Sequence, residues 1–292
     1  MDETDQADEQ FRRWLRQALG RAAGRFGLVL GEVPPRYGWR LRSAGVPALD
    51  ARGTRCWLRV GTGLERWVRA PVVGAFWTGI PDSRAVRGVP RPRVLAGMEW
   101  STTDWTRGGQ RRCVRADATT LLAGRACSAD DELRAPPAMP ERWWAALRRG
   151  VTAITRTSTS RFACRAGTGV REVFGERVAA AFAPVGFATQ HGDLHWANLI
   201  GPDCALLDWE LWGVAPVGTD AATLYLFALR VPETAERVWA QFADVLDTAA
   251  GHTALVHVAS RILRHAGHGR YPELAPLVLE RVRPLIAARG LG

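Results

Sequence analysis

The chain has 292 residues, 47% of them hydrophobic and 23% charged, which is enough for a substantial core in one large domain or two lobes and excludes wholesale disorder. Its net charge of +10 raises nucleic acid as a ligand. However, every basic residue is an arginine, the densest clusters are pairs such as Arg111-Arg112, and no RNP, KH or zinc-finger pattern occurs, so no nucleic-acid partner is expected.

In chain order, the acidic start Met1-Asp2-Glu3-Thr4-Asp5 argues against a secretory signal, and no 18-residue apolar run predicts a membrane span. Five dispersed cysteines (Cys56, Cys113, Cys127, Cys164, Cys204) never form C-X-X-C and read as reduced thiols, so a cytoplasmic protein with no membrane partner is expected. Residues 7–28 predict an amphipathic helix, with Phe11, Leu15, Ala18, Leu19 and Ala22 on one face. That face would pack on a first lobe or lie on a membrane surface. Residues 37–42 predict a strand, followed by turns at Ser43-Ala44-Gly45 and 50–53 and a second strand at 56–60. Further strands are expected around 98–100 and 112–115, and a polar, proline-broken connection over 128–140. Helical patterns follow at 141–150, 221–229, 235–249, 253–265 and 274–288. His265 and His268, three apart, share a helical face, where surface histidines are expected rather than a metal.

The densest chemistry lies in residues 190–210. Asp193 and Asn198 are five residues apart, so one tight loop can present both side chains to a single site. A hairpin is predicted through Leu199-Ile200, a turn at Gly201-Pro202-Asp203, and Ala205-Leu206-Leu207, which folds Asp208 back beside Asn198. An amide oxygen and a carboxylate are hard ligands of the kind Mg²⁺ accepts alongside nucleotide phosphates. Asp193 is then free to orient an acceptor hydroxyl and take its proton. Glu210, two residues past Asp208 in an extended segment, would support the metal's ligands or touch the metal through water. Trp196, Trp209 and Trp212 would either wall an acceptor pocket or pack in the core.

His191-Gly192-Asp193-Leu194-His195-X-X-Asn198, followed by Leu207-Asp208-Trp209-Glu210, resembles the catalytic core of the aminoglycoside phosphotransferase family, within the protein-kinase-like superfamily. The resemblance is specific over 190–220 and extends in broad layout over 36–290. It implies an α+β, protein-kinase-like two-lobe fold: a small antiparallel-sheet N-lobe (1–116) and a larger, mainly helical C-lobe (117–292). The implied activity is ATP- or GTP-dependent O-phosphotransfer to a small hydroxylated molecule, assisted by Mg²⁺. By the same resemblance Asp193 is the base, His191 braces the catalytic loop, Asn198, Asp208 and Glu210 serve the metal, and Asp220 caps the next helix and holds the loop. The lysine that such folds place on the third strand is absent, and Arg59 falls at its position, with Glu65 the nearest acidic partner. Ser43 and Gly45 would cover the phosphates or form an ordinary hairpin turn. The arginines after Asp220 outnumber the acidic residues, which favours a neutral or anionic acceptor over a polycation. The alternative function is a non-catalytic kinase-like module that binds a nucleotide or a protein.

Overall fold

A computed structural model describes residues 3–71, 73–162 and 168–291; Met1, Asp2 and Cys164 lie outside the described residues. The chain divides into two units, residues 1–81 with 92–122 and residues 82–91 with 123–292. The change expected at residue 116 falls inside a strand, and the division comes after that strand ends.

In the first unit, α1 (Glu3–Phe26) precedes β1 (Val29–Leu30), β2 (Arg36–Tyr37), β3 (Ser43–Leu49) and β4 (Arg55–Leu64). Then come the short helices α2 (Glu65–Val68) and α3 (Gly79–Asp82), the last residue of which belongs to the second unit, followed by β5 (Val94–Thr102) and β6 (Arg112–Thr120). The strands form one antiparallel sheet in the order β1-β3-β4-β6-β5, with β2 also on β3. Period-two alternation decides its two faces. Ala44, Val46 and Ala48 of β3, Cys56, Leu58 and Val60 of β4, and Val114, Ala116 and Ala118 of β6 are buried against Leu15, Ala18, Leu19, Ala22 and Ala23 of α1. Each fully buried leucine there contributes about 1.5–3 kcal/mol relative to exposure. The apolar stripe of α1 is thus spent on the sheet, not on a membrane surface.

The strand expected at 37–42 and the turn expected at 43–45 are shifted. The chain turns one step earlier, through a 3₁₀ turn at Trp39–Leu41 with Arg40 and Leu41 at φ of 49° and 54°. Gly38 N–H donates to the Ser43 carbonyl at 2.9 Å, and Ser43 already begins β3. The buried alternation 44-46-48 outweighs the turn propensity of Ser-Ala-Gly.

In the second unit come β7 (Arg125–Ala126), α4 (Glu141–Thr155), α5 (Thr168–Phe174), α6 (Glu176–Ala181), β8 (Phe187–Gln190), β9 (Leu199–Gly201), β10 (Ala205–Leu206) and β11 (Gly213–Pro216). They are followed by α7 (Thr219–Leu226), α8 (Pro232–Leu246), α9 (Ala249–Ala266) and α10 (Leu274–Ala287). Helices α5 and α6 were not foreseen. Ala249, expected at the end of α8, opens α9, because the Thr248 hydroxyl accepts the Gly251 N–H and caps that helix. Leu224 of α7, Val238 and Phe242 of α8, Leu255 and Ile262 of α9, and Val278 and Val282 of α10 share one core. No helix among the described residues is long and apolar enough to cross a membrane. The molecule is an α+β protein with a small antiparallel sheet in one unit and a mainly helical second unit.

Candidate active site

Two small antiparallel ladders shape the loop. β8 pairs with β11, setting Gln190 opposite Gly213, and β9 pairs with β10, setting Leu199 opposite Leu206. The predicted hairpin forms, and Leu207 N–H donates to the Asn198 carbonyl at 2.9 Å, which places Asp208 one residue from the Asn198 backbone. Asp208 is exposed and adopts φ of 52°, a left-handed conformation rare for a residue with a side chain and frequent at functional sites. Gly192 sits between His191 and Asp193 at φ of 83°, where any side chain would be strained.

The loop is tied from outside. The Asp220 carboxylate accepts the N–H groups of His191 (2.7 Å) and Gly192 (3.0 Å), and Asp220 N–H donates to Gln190 Oε1 at 3.0 Å. Asp220 lies in the first turn of α7, but its side chain binds the loop and does not cap the helix. Burial pushes its carboxyl up from the usual range, against the pull of His191 and these N–H bonds. His191 is fully buried, its Nε2 lies 2.8 Å from the Leu207 carbonyl, and burial favours its neutral ring. As a neutral donor it braces the Asp193 loop to the segment leading into Asp208.

Desolvation works to raise the Asp193 carboxyl, but the hydrogen bond from His195 and the charge of Arg261 outweigh it and hold it well below the usual carboxylate range. The Asp193 Oδ2–His195 Nε2 separation is 3.5 Å, as is Asp193 Oδ1–Arg261 Nη1. Arg261, on α9, also donates to the Gly192 carbonyl at 3.0 Å. Desolvation lowers His195, yet Asp193, Asp131 and Asp208 together raise it, so the charge of Asp208 is felt at the same site. Gln190, Arg261, Asp131 and Arg161 were not singled out in the sequence. Arg161 donates to Asp82 (2.6 Å) and to the Trp212 carbonyl (3.2 Å), bracing the turn after Asp208.

Asn198 Nδ2 donates to the Asp193 carbonyl at 2.9 Å, which leaves Oδ1 as the amide atom able to take a cation. Among the described residues no three His, Cys, Asp or Glu gather into a metal cage. A metal here would therefore take few protein ligands, as Mg²⁺ does when it keeps water and phosphate oxygens, and the Asn198/Asp208 pair fits that pattern. Glu210 lies in a turn, not an extended segment, so strand alternation does not put it on the same side as Asp208. Trp196, Trp209 and Trp212 are all buried, the first two with their indole N–H groups on the Leu224 and Leu206 carbonyls, so they pack and do not wall a pocket.

In the first unit, the three phosphate-site candidates share the sheet face opposite α1. Arg59 pairs across with Gly45 and with Asp117, and Ser43 pairs with Gly61. A Cβ on Gly61 would lie 3.2 Å from Arg59 Nη1, and one on Gly45 would lie 2.6 Å from the Trp57 ring, so two bare strand positions let these side chains lie flat on the sheet. Ser43 and Gly45 are thus strand residues and do not form a covering loop. The Glu65 carboxylate faces Arg111 at 3.5 Å, while the buried Asp117 receives Arg115 through two bonds of 2.8 and 2.9 Å.

No family model and no curated protein matches the chain. Solved structures do. An amicoumacin kinase in complex with AMP-PNP and Ca²⁺ superposes with a TM-score of 0.58 at 11% identity, over 94% of this chain and 93% of that one. A thermostable mutant of an aminoglycoside phosphotransferase, in a ternary complex with ADP and hygromycin B, gives 0.58 at 12% identity over 94% and 98%. A microcompartment-associated aminopropanol kinase gives 0.55 at 15% identity over 94% and 99%. With nearly full coverage on both sides and little shared sequence, the likeness is one of architecture: the chain has the fold of aminoglycoside phosphotransferase-like small-molecule kinases.

Proposed function

We propose that the chain is a nucleotide-dependent O-phosphotransferase that uses ATP or GTP to phosphorylate a hydroxyl of a small molecule. The observation that carries this reading is the single loop system in which Asp193, Asn198 and Asp208 are held together by Asp220, His191 and the Leu207–Asn198 bond. Asp193 accepts and orients the acceptor hydroxyl. A carboxylate held this far below its usual range is a weak base, so it contributes orientation first and takes the proton late in transfer. Asn198 Oδ1 and the Asp208 carboxylate would hold Mg²⁺, with Glu210 reaching it only through water. Bound Mg²⁺ would neutralise charge on the nucleotide phosphates. Arg59, on the strand face beside Asp117, would meet the phosphates in place of a lysine.

The non-catalytic reading draws on one observation, the Trp57 ring lying over Gly45 on the same face as Arg59. Calorimetric titration with ATP and GTP, with and without Mg²⁺, separates the two readings. Phosphotransfer requires metal-dependent nucleotide binding that Asp208→Asn abolishes, followed by turnover on hydroxylated acceptors. Binding that ignores both metal and Asp208 would favour the module.

A further inference from the structure

The connection over 128–140 has no regular pattern, yet the fold delivers one of its residues to His195. Its first part is pinned on both sides: Cys127 N–H donates to the Leu199 carbonyl at 2.8 Å, and Leu133 N–H to the Phe227 carbonyl at 2.9 Å. Between these ties lies Asp131, whose two oxygens face different partners. Oδ2 takes Arg270 Nη2 at 2.8 Å and the Tyr271 hydroxyl, while Oδ1 faces His195 Nε2 at 3.7 Å. The same His195 Nε2 lies 3.5 Å from Asp193 Oδ2 and 3.2 Å from Asn198 Nδ2, so one imidazole edge stands between two carboxylates and the Asn198 amide.

The supports of Asp131 are themselves constrained. Tyr271 is buried at φ of 57°, an outlier for a bulky side chain that persists only where the surroundings over-determine it. Its ring meets Phe227 at 5.5 Å and stacks on His265 at 6.3 Å, and Phe227 in turn meets the His195 ring at 6.0 Å. Chain ties, a carboxylate oxygen that accepts from two donors and a strained tyrosine thus converge on the ring that faces Asp193. A carboxylate that served only as a surface ion pair would need none of these constraints.

We propose that Asp131 is a positioning residue for phosphotransfer: held by Arg270 and Tyr271, it fixes the His195 ring, and His195 fixes the Asp193 carboxylate toward the acceptor. The proposal rests on the reading of Asp193 given above. Long separations in the absence of substrate are expected to tighten in the reacting complex.

The test uses the full chain, with MgATP hydrolysis to water as the assay and the His195 ring ¹⁵N and ¹H shifts as a second readout. Asp131→Asn is expected to lower kcat at least tenfold while nucleotide KM stays within twofold, and to move the His195 ring shifts. Tyr271→Phe, which removes only the hydroxyl that binds Asp131, is expected to act in the same direction more weakly. Glu172→Gln, an exposed partner of Arg264 outside this network, is expected to change neither readout. The proposal is overturned if Asp131→Asn leaves kcat within twofold of wild type, or if the His195 shifts do not move. If wild-type chain hydrolyses neither MgATP nor MgGTP, the phosphotransfer reading falls, while the ring shifts still decide whether Asp131 fixes His195.

Discussion

Around Asp193, one continuous stretch supplies His191, Asn198 and Asp208 as well, and short backbone ladders bring them together. Around Arg59, three strands contribute one or two residues each, and only their register puts Gly45, Asp117 and Arg115 beside it. The two regions hold charge differently. The loop is tied by a buried carboxylate to backbone N–H groups, whereas the sheet face uses a side-chain ion pair, Arg115–Asp117. A local motif can be read through its spacing, but a face assembled across strands can only be read once register is known.

The comparison is tested most severely at Asp193. Asp193→Asn is expected to reduce turnover by about 10²–10⁴-fold, the usual contribution of a positioned acid–base group, with thermal unfolding little changed. Retained turnover, measured as nucleotide consumption, would remove the loop from the chemistry. Next comes its anchor: Asp220→Ala leaves the His191 and Gly192 N–H groups buried without an acceptor, and urea denaturation should show a loss of about 2–5 kcal/mol. On the sheet face, Arg59→Ala is expected to weaken nucleotide binding about tenfold or more, the scale of a hydrogen bond to a charged group, and Arg59→Lys to recover much of it in calorimetry. Equal affinity in all three chains would place the phosphates elsewhere.

The smallest effect concerns pH. Burial pushes the Cys127 and Cys204 thiols up to about 12, against a usual value of 9.0. Between those values the unfolded chain loses protons that the folded chain keeps, so stability is intact below about pH 9 and declines as pH rises toward 12. Denaturation profiles of the wild type and a Cys127→Ala/Cys204→Ala chain should converge across that window, and parallel profiles would contradict the burial of these thiols.

Much of this was legible beforehand, for identifiable reasons. The hairpin from Leu199 to Leu206 was readable because a Gly-Pro-Asp turn separates two apolar runs, and the core helices because their apolar residues repeat at helical spacing. The turn before Ser43 was misplaced because Ser-Ala-Gly carries turn propensity, while the packing of Ala44, Val46 and Ala48 on α1 makes it a strand. Nothing around Asp131, Gln190 and Arg261 in the sequence marks them. Arg270 and Tyr271 lie about 140 residues from Asp131, and their meeting depends on every intervening element.

Sequence alone determined the spacing of Asp193, Asn198 and Asp208, the alternation of the sheet and the apolar faces of the long helices, because each is set by chain geometry over a few residues. Tertiary structure decided which carboxylate holds the loop, which faces His195, and which strand carries the acidic neighbour of Arg59. Those choices depend on register and on packing between distant segments, where a shift of one residue would send every side chain to the opposite face.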